Sequence, residues 1–347
     1  MFGISIYAGL EQSLEENLAY LHEAKECGIK HVFTSFHIPE VNKSFKKESD
    51  ILLKEAKKLG MKVMADISKG YFDEKEIQKY EFESLRLDFG FDLSEIAEMT
   101  KKYDHNIVFN ASTLTRNQIE KLIQYGVDFS KVEACHNFYP REDTGISEEL
   151  MIERNQVMKK YGFKTMAFVP SHNKTRGPIH KGLPTLEKHR NVDSMVAAQH
   201  LMRIQNDVIF IGDTRASKQE LICLGNLKKD IMLLPIKLQQ GISEVEKSLL
   251  RQVHTNRIDP GECVIRSQEA RLIKKGKIIS GNQKERKQYS VTIDNELYKR
   301  YEGELQILRK AFKKDERVNV VADGQKANIL IDLIQPGEKF TFDFEDK

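Results

Sequence analysis

The chain has 347 residues, 40% of them hydrophobic and 31% charged, a length that accommodates one large domain and a small one. Lys and Arg number 55 against 52 Asp and Glu, and the signs are interspersed, so composition gives no electrostatic case for nucleic-acid binding. Cys27, Cys135, Cys223 and Cys263 are scattered without CxxC or Cys/His ligand spacing and read mostly as small buried hydrophobes.

In chain order, short apolar segments end in residues able to do chemistry. They are ISIYAG from Ile4, HVFTSFH from His31, KVMADIS from Lys62, LRLDFGFD from Leu85, NIVFNAST from Asn106, VEACHNFYPR from Val132, KTMAFVPSH from Lys164 and DVIFIGDTR from Asp207. Helical patterns lie between them. Ser13 with Glu16, Thr115 with Gln118, and Ser217 with Glu220 have capping-box spacing. Gly28, Gly60, Gly126, Gly162 and Gly225 are expected to end helices in the left-handed conformation. Strand alternating with amphipathic helix predicts a parallel sheet covered by helices. The unit count and the absence of a GxGxxG or GxxxxGK[ST] string favour a TIM (β/α)8-type barrel over an open doubly wound sheet. Such barrels place their chemistry at the strand C-termini.

The last helical pattern of this part is Ile242–Val253, and HTNRIDPG at 254–261 reads as a boundary. The expected domains are therefore 1–255, a catalytic barrel, and 256–347, a small all-β domain. QYSVTID, ELQILRKAF, RVNVVADG, ANILIDLI and KFTFDF all read as strands in that second domain. Lys274–Lys277 and Lys284–Lys287 read as solvated turns. The first residues run directly into a strand, and no segment approaches the length needed to span a bilayer, so a soluble, reducing, cytoplasmic location is expected.

Period-two alternation puts Met64 and Asp66 on one face of the third strand, and Arg86, Asp88 and Gly90 on one face of the fourth. If both faces point inward at the rim, Asp66 and Asp88 are neighbours. Two carboxylates on one pocket can divide the roles of acid and of nucleophile or base, and Arg86 would hold Asp88 ionised. Glu133 and Asp213 are reserve candidates, Glu133 sitting deeper or paired with an Arg and Asp213 serving a substrate hydroxyl. Each lone Asp also fits a loop cap. HNFYPREDTG (136–145) and RGPIHKGLPTLEKHR (176–190) are too long and polar for minimal loops. Arg141, Lys174, Arg176, His189 and Arg190 could bind a phosphate or carboxylate there, while Glu187, Lys188, His189 and Arg190 also fit a charged helix start facing water. His37, His136, His172 and His180 lie on or after strands but form no HxH or HExxH string, so neither a metal nor another cofactor is expected.

At LRLDFGFD, ACHNFYPREDTG and RGPIHKGLPTLEKHR the chain resembles the bacterial 6-phospho-N-acetylmuramidases, cytoplasmic glycosidases of peptidoglycan recycling. The resemblance spans essentially the full length, with IDNELYKRYEGELQI near Asp294 similar to the family's tail pattern. It implies a TIM barrel followed by a cyclophilin-like β domain, and cleavage of the β-1,4 bond between N-acetylmuramic acid 6-phosphate and N-acetylglucosamine. The implied partner is this small phosphorylated, muropeptide-derived disaccharide, with no nucleic acid and no membrane; a homodimer is left open. Asp66, Asp88, Glu133 and Asp213 are the catalytic candidates. Substrate contacts are expected from Arg86, Asn110, His136, Asn137, Tyr139, Arg141, Ser171, Arg176, Gly182 and Arg190. Arg266, in RSQEAR after the boundary, would join them by closing over the rim.

Other readings fit the same residues. A phosphosugar isomerase or aldolase would use the barrel rim, with Lys69 as a weak Schiff-base candidate. A non-catalytic carbohydrate-binding protein would use the same aromatics and basic loops. Release of N-acetylglucosamine from the disaccharide separates enzyme from binder.

Overall fold

The computed structural model describes residues 1–35, 45–77, 79–80 and 82–344, in two compact units, Met1–Asn226 and Leu227–Lys347. In the first unit, eight strands form a closed parallel barrel: β1 (Phe2–Ser5), β2 (His31–Ser35), β3 (Lys62–Ile67), β4 (Ser84–Leu87), β5 (Asn106–Asn110), β6 (Val132–Cys135), β7 (Lys164–Val169) and β8 (Val208–Ile211). Strand β8 pairs back onto β1, with Phe210 opposite Gly3. All eight segments read as strands from the sequence are these strands.

The helices between them are α1 (Leu14–Glu26), α2 (Phe45–Lys58), the single turn α3 (Glu74–Ile77), α4 (Leu93–Lys102), α5 (Arg116–Gln124), α6 (Glu148–Lys160), α7 (Ser194–Arg203) and α8 (Lys218–Asn226). Capping boxes form at Ser13/Glu16 and Thr115/Gln118, and Ser217 exchanges the same pair of bonds with Glu220. Each side chain satisfies an amide that the first helical turn leaves without a partner. Gly28, Gly60, Gly126 and Gly162 have positive φ, as expected of helix ends. Gly225 does not: it lies inside α8, where a Cβ would meet the Cys27 carbonyl oxygen at 1.8 Å. The glycine there permits close approach of two backbones, a demand that sequence periodicity does not reveal.

The barrel interior is filled with large side chains. Phe33, Phe168 and Phe210 meet at centroid distances of 5.1 and 5.5 Å for the pairs that include Phe168, in edge-on and tilted contacts. Met64, Val108, Cys135 and Met166 complete this layer, so the barrel is a packed core and the rim above it is the available site.

The second unit contains β9 (Ile231–Pro235), β10 (Lys237–Leu238), α9 (Glu244–Leu250), β11 (His254–Thr255), β12 (Val264–Arg266), α10 (Ala270–Ile273), β13 (Ser290–Asp294), β14 (Leu305–Leu308), β15 (Val318–Asp323), α11 (Asn328–Ile331) and β16 (Lys339–Asp343). Its sheets run β10-β15-β13-β14-β12 and β11-β16-β9. The division falls at 226/227, not after 255, because β9 and β11 pair with β16 and β10 pairs with β15. Those pairings are non-local and leave no mark on the sequence around 227. ANILIDLI is a helical turn in place of the expected strand. Ala327, Leu330, Ile331 and Ile334 are all buried, and their spacing is that of one helical face. No helix among the described residues is long and apolar enough to cross a membrane.

Candidate active site

Asp66 and Arg86 are direct partners across the β3/β4 ladder, and both side chains are buried. Asp88 follows the last residue of β4 and is half-buried. Arg86 Nη1 donates to Asp66 Oδ1 at 2.5 Å and to Asp88 Oδ1 at 3.2 Å, while Nη2 donates to Asn137 Oδ1. A shared donor puts the two bonded carboxylate oxygens no more than about 6 Å apart, so both acids face one pocket. Burial opposes the Arg86 charge, but Asp66 and other neighbours outweigh it, so the guanidinium holds its proton more tightly than usual. Alternation along the strands thus brings together Asp66, Arg86 and Asp88 as the sequence led one to expect.

A second cation stands on the loop after β7. The Arg176 guanidinium lies 4.6 Å from the Tyr7 ring centroid and 5.6 Å from that of Phe138. Tyr7 is fixed from below, its hydroxyl donating to the Gly212 carbonyl at 2.6 Å. The Arg176 backbone is fixed by Asp213, which accepts from the amides of Arg176 at 3.0 Å, Ser171 at 2.9 Å and Leu183 at 3.2 Å. Asp213 is fully buried, and burial pushes its carboxyl pKa up against the lowering effect of those three donors. It shapes the loop that presents Arg176.

The two long loops are joined by one ion pair. Glu187 Oε1 accepts from the Asp143 amide at 3.0 Å and from Arg190 Nε at 2.6 Å. Its Oε2 accepts from the Gly145 amide at 2.8 Å and from Arg190 Nη2 at 2.7 Å. Arg190 then spends its remaining donors on the carbonyls of Lys181, Gly182, Tyr139 and Arg141 at 3.0 to 3.2 Å. Arg190 therefore clasps the loops, whereas the sequence suggested it as a substrate ligand. Residues 187–189 form a 3-10 turn, with His189 and Arg190 buried, so a charged helix start facing water does not describe them.

The other expected residues divide between rim and scaffold. Asn110 ends β5, its Oδ1 accepting from the Ser112 amide at 3.1 Å. His136 is fully buried between Ser112 and Asn155, and burial lowers its pKa to about 4, so it is neutral. Tyr139 is half-buried and Arg141 exposed on the clasped loop. Ser171 bonds Glu220 and the Arg215 carbonyl, and Gly182 occupies a positive-φ turn. Lys174 pairs with Glu16 at 3.5 Å, and His189 packs on His200. His172 and His180 bond the Val192 and Thr175 carbonyls; His37 lies outside the described residues.

Glu133 stands at the opposite end of the barrel. It is the second residue of β6, and it accepts from Ser84, the first residue of β4, at 2.7 Å and from Lys164, the first of β7, at 3.1 Å. Of the two expected alternatives it sits deeper in the barrel, with a lysine and not an arginine as its cation, and it is set apart from the Asp66/Asp88 pair. Arg266 and Arg271 belong to the second unit, where both engage the buried Glu304, at 2.6 and 3.0 Å. Lys69 pairs with Glu95 at 2.7 Å, and that contact raises its pKa, the reverse of what a Schiff-base lysine requires. Among the described residues no cluster of three or more His, Cys, Asp or Glu is arranged to hold a metal ion.

Sequence reasoning missed Tyr7, Phe138 and Glu187. Tyr7 continues the face of Gly3 and Ser5 beyond β1, a signal that was present. Glu187 has i,i+3 spacing with Arg190, but its bonds to Asp143 and Gly145 depend on loop closure.

Two carboxylates share one guanidinium at the barrel rim, and the comparisons with known families give the class: the chain is a glycoside hydrolase. Residues 2–226 match the model for the 6-phospho-N-acetylmuramidase N-terminal domain, and residues 232–343 match that for its C-terminal domain. The chain belongs to the 6-phospho-N-acetylmuramidase family. It is similar to a crystal structure of an uncharacterised B. cereus protein, at 31% identity and a TM-score of 0.87, covering 99% of both chains. It is also similar to a conserved Enterococcus faecalis protein of unknown function, at 34% identity and a TM-score of 0.81, covering 99% of this chain and 96% of that one. No curated protein matches the chain.

Proposed function

We propose that the chain hydrolyses the β-1,4 bond of N-acetylmuramic acid 6-phosphate–N-acetylglucosamine, in the cytoplasm, during peptidoglycan recycling. The carrying observation is the Asp66–Arg86–Asp88 arrangement in a chain of this family. One of these two acids protonates the leaving oxygen and the other stabilises the developing charge at the anomeric carbon. That second acid attacks the anomeric carbon, orients the acetamido group to do so, or activates a water.

The substrate's phosphate or lactyl carboxylate calls for a guanidinium, and Arg176 supplies one already ordered on two aromatic faces. Asn110, Asn137, Tyr139 and Arg141 stand on the same rim or its clasped loop, in reach of sugar hydroxyls. The test is incubation of the purified chain with the phosphorylated disaccharide. Release of N-acetylglucosamine supports the reading; binding without release sinks it in favour of a carbohydrate-binding role.

A further inference from the structure

The second unit holds a cavity to which the glycosidase chemistry gives no role. Strands β12 and β14 pair antiparallel, Val264 opposite Leu308 and Arg266 opposite Gln306. Alternation turns these four side chains to one face and Ile265 and Ile307 to the other; Leu308 is buried like those two, and Val264, Arg266 and Gln306 are the partly exposed members. That first face floors a cavity of about 400 Å³, walled by Arg286 and Phe312. The volume is in the ~300–1,000 Å³ range of small-molecule sites.

Both arginines are held in place. Arg286 Nε donates to the Lys313 carbonyl at 2.8 Å, and its guanidinium lies 5.2 Å from the Phe312 ring centroid. The backbones of Arg286 and Phe312 exchange hydrogen bonds of 3.0 and 2.7 Å, which fixes the stack. A carbonyl is a neutral acceptor, so that bond orders the guanidinium without cancelling its charge. Arg266 is ordered by Glu304 at 2.6 Å, but Glu304 also serves Arg271 at 3.0 Å. One carboxylate is shared between these two guanidinium groups, while Asp294 acts on both Arg266 and Arg286 and Asp315 on Arg286, so what the cavity offers an anion is ordered donors. The acid of the lining, Glu262, is engaged by Lys310 at 2.7 Å.

We propose that this cavity binds a small organic anion, its phosphate or carboxylate held by Arg266 and Arg286 and its apolar part lying on Val264 and Leu308. Preordered guanidinium forks suit either oxyanion, and the paired aliphatic floor suits a ligand with a carbon skeleton over a bare ion. The proposal asks nothing of the barrel site and stands or falls separately from it.

The test is methyl NMR on the full chain, titrated with phenyl phosphate, benzoate and inorganic phosphate. Phenyl phosphate or benzoate is expected to saturate, with ring-proton NOEs to the Val264 and Leu308 methyls, and to bind roughly tenfold or more tightly than inorganic phosphate. Whichever organic anion binds tighter identifies the acid group. Arg286→Gln is expected to weaken binding about tenfold or more, and Arg176→Gln in the barrel to leave it unchanged. Wild-type affinity in R286Q overturns the proposal, as does the absence of methyl NOEs in the wild-type protein, a readout that does not depend on any variant folding.

Discussion

Asp66 and Arg86 occupy matching positions on adjacent strands, and their side chains meet at 2.5 Å where both are shielded from water. Removing the cation while keeping its volume, as in Arg86→Met, leaves Asp66 buried beside an apolar chain. The expected cost is about 3–5 kcal/mol, the range found when one partner of a buried pair is deleted. Urea unfolding measures it, and a loss under about 1 kcal/mol would mean that other neighbours carry the Asp66 charge.

Asp88 shares Arg86 yet is more exposed than Asp66. Asp88→Asn is therefore expected to keep its fold and lose about 100-fold or more in turnover, as loss of a catalytic carboxylate does. Recovery of rate on an activated substrate whose leaving group needs no proton would assign Asp88 the acid role. Equal loss on both substrates would point away from an acid role.

Arg176 owes its position to Tyr7 and Phe138. Arg176→Gln is expected to raise KM for the phosphorylated disaccharide about tenfold or more, with a smaller change in kcat. Arg176→Lys should not restore affinity, because an ammonium lacks the flat fork that stacks on both rings. Steady-state kinetics on both variants checks this, and full recovery by lysine would assign Arg176 only a point-charge role.

Glu187 accepts four hydrogen bonds, two of them from Arg190, and the arginine contact, the largest influence on it, draws its pKa down to about 2. A depressed acid adds stability above its unfolded value, and that contribution fades as pH falls from about 4.5 toward 2. Glu187→Gln is expected to cost about 1–3 kcal/mol at neutral pH through the weakened bonds. The gap between variant and wild type should close on acidification, and unfolding curves taken between those pH values test the convergence.

His136 behaves in the opposite sense to a histidine that gains an acidic partner. Burial lowers its pKa from 6.5 to about 4, so the unfolded chain takes up a proton at a pH where the folded one does not. Its share of stability is whole above 6.5 and is lost as pH falls toward 4, at up to about 1.4 kcal/mol per pH unit. His136→Asn, which preserves a polar contact with Asn155, should flatten the stability–pH curve in that window. An unchanged slope would show that His136 titrates normally.

The barrel was legible because it rests on local signals. Each strand is a short apolar run, and each expected capping box closes within four residues. Asp66, Arg86 and Asp88 could be aligned because alternation and strand neighbours are enough to place them. The errors arise where distant chain segments meet. β9 finds its partner more than a hundred residues later in β16, so the boundary slid past it. Arg190 looked like a ligand because its four carbonyl acceptors lie on loops whose closure no pattern encodes, and Asp213 looked catalytic because a buried loop organiser and a rim acid have the same strand-end position.

One row of ladder partners runs from Asp66 through Arg86, Val108 and Glu133 to Lys164. Because barrel strands tilt, this row descends like a ramp, beginning among the rim acids and ending at an ion pair on the floor. Val108 stands between the two charged ends, and an apolar side chain screens little, so the buried Cys135 thiol feels Arg86 and Asp66 from above and Glu133 from below. A charge changed by substitution on the floor therefore reaches toward the rim, and the Glu133–Lys164 pair belongs to the electrical setting in which the rim acids work.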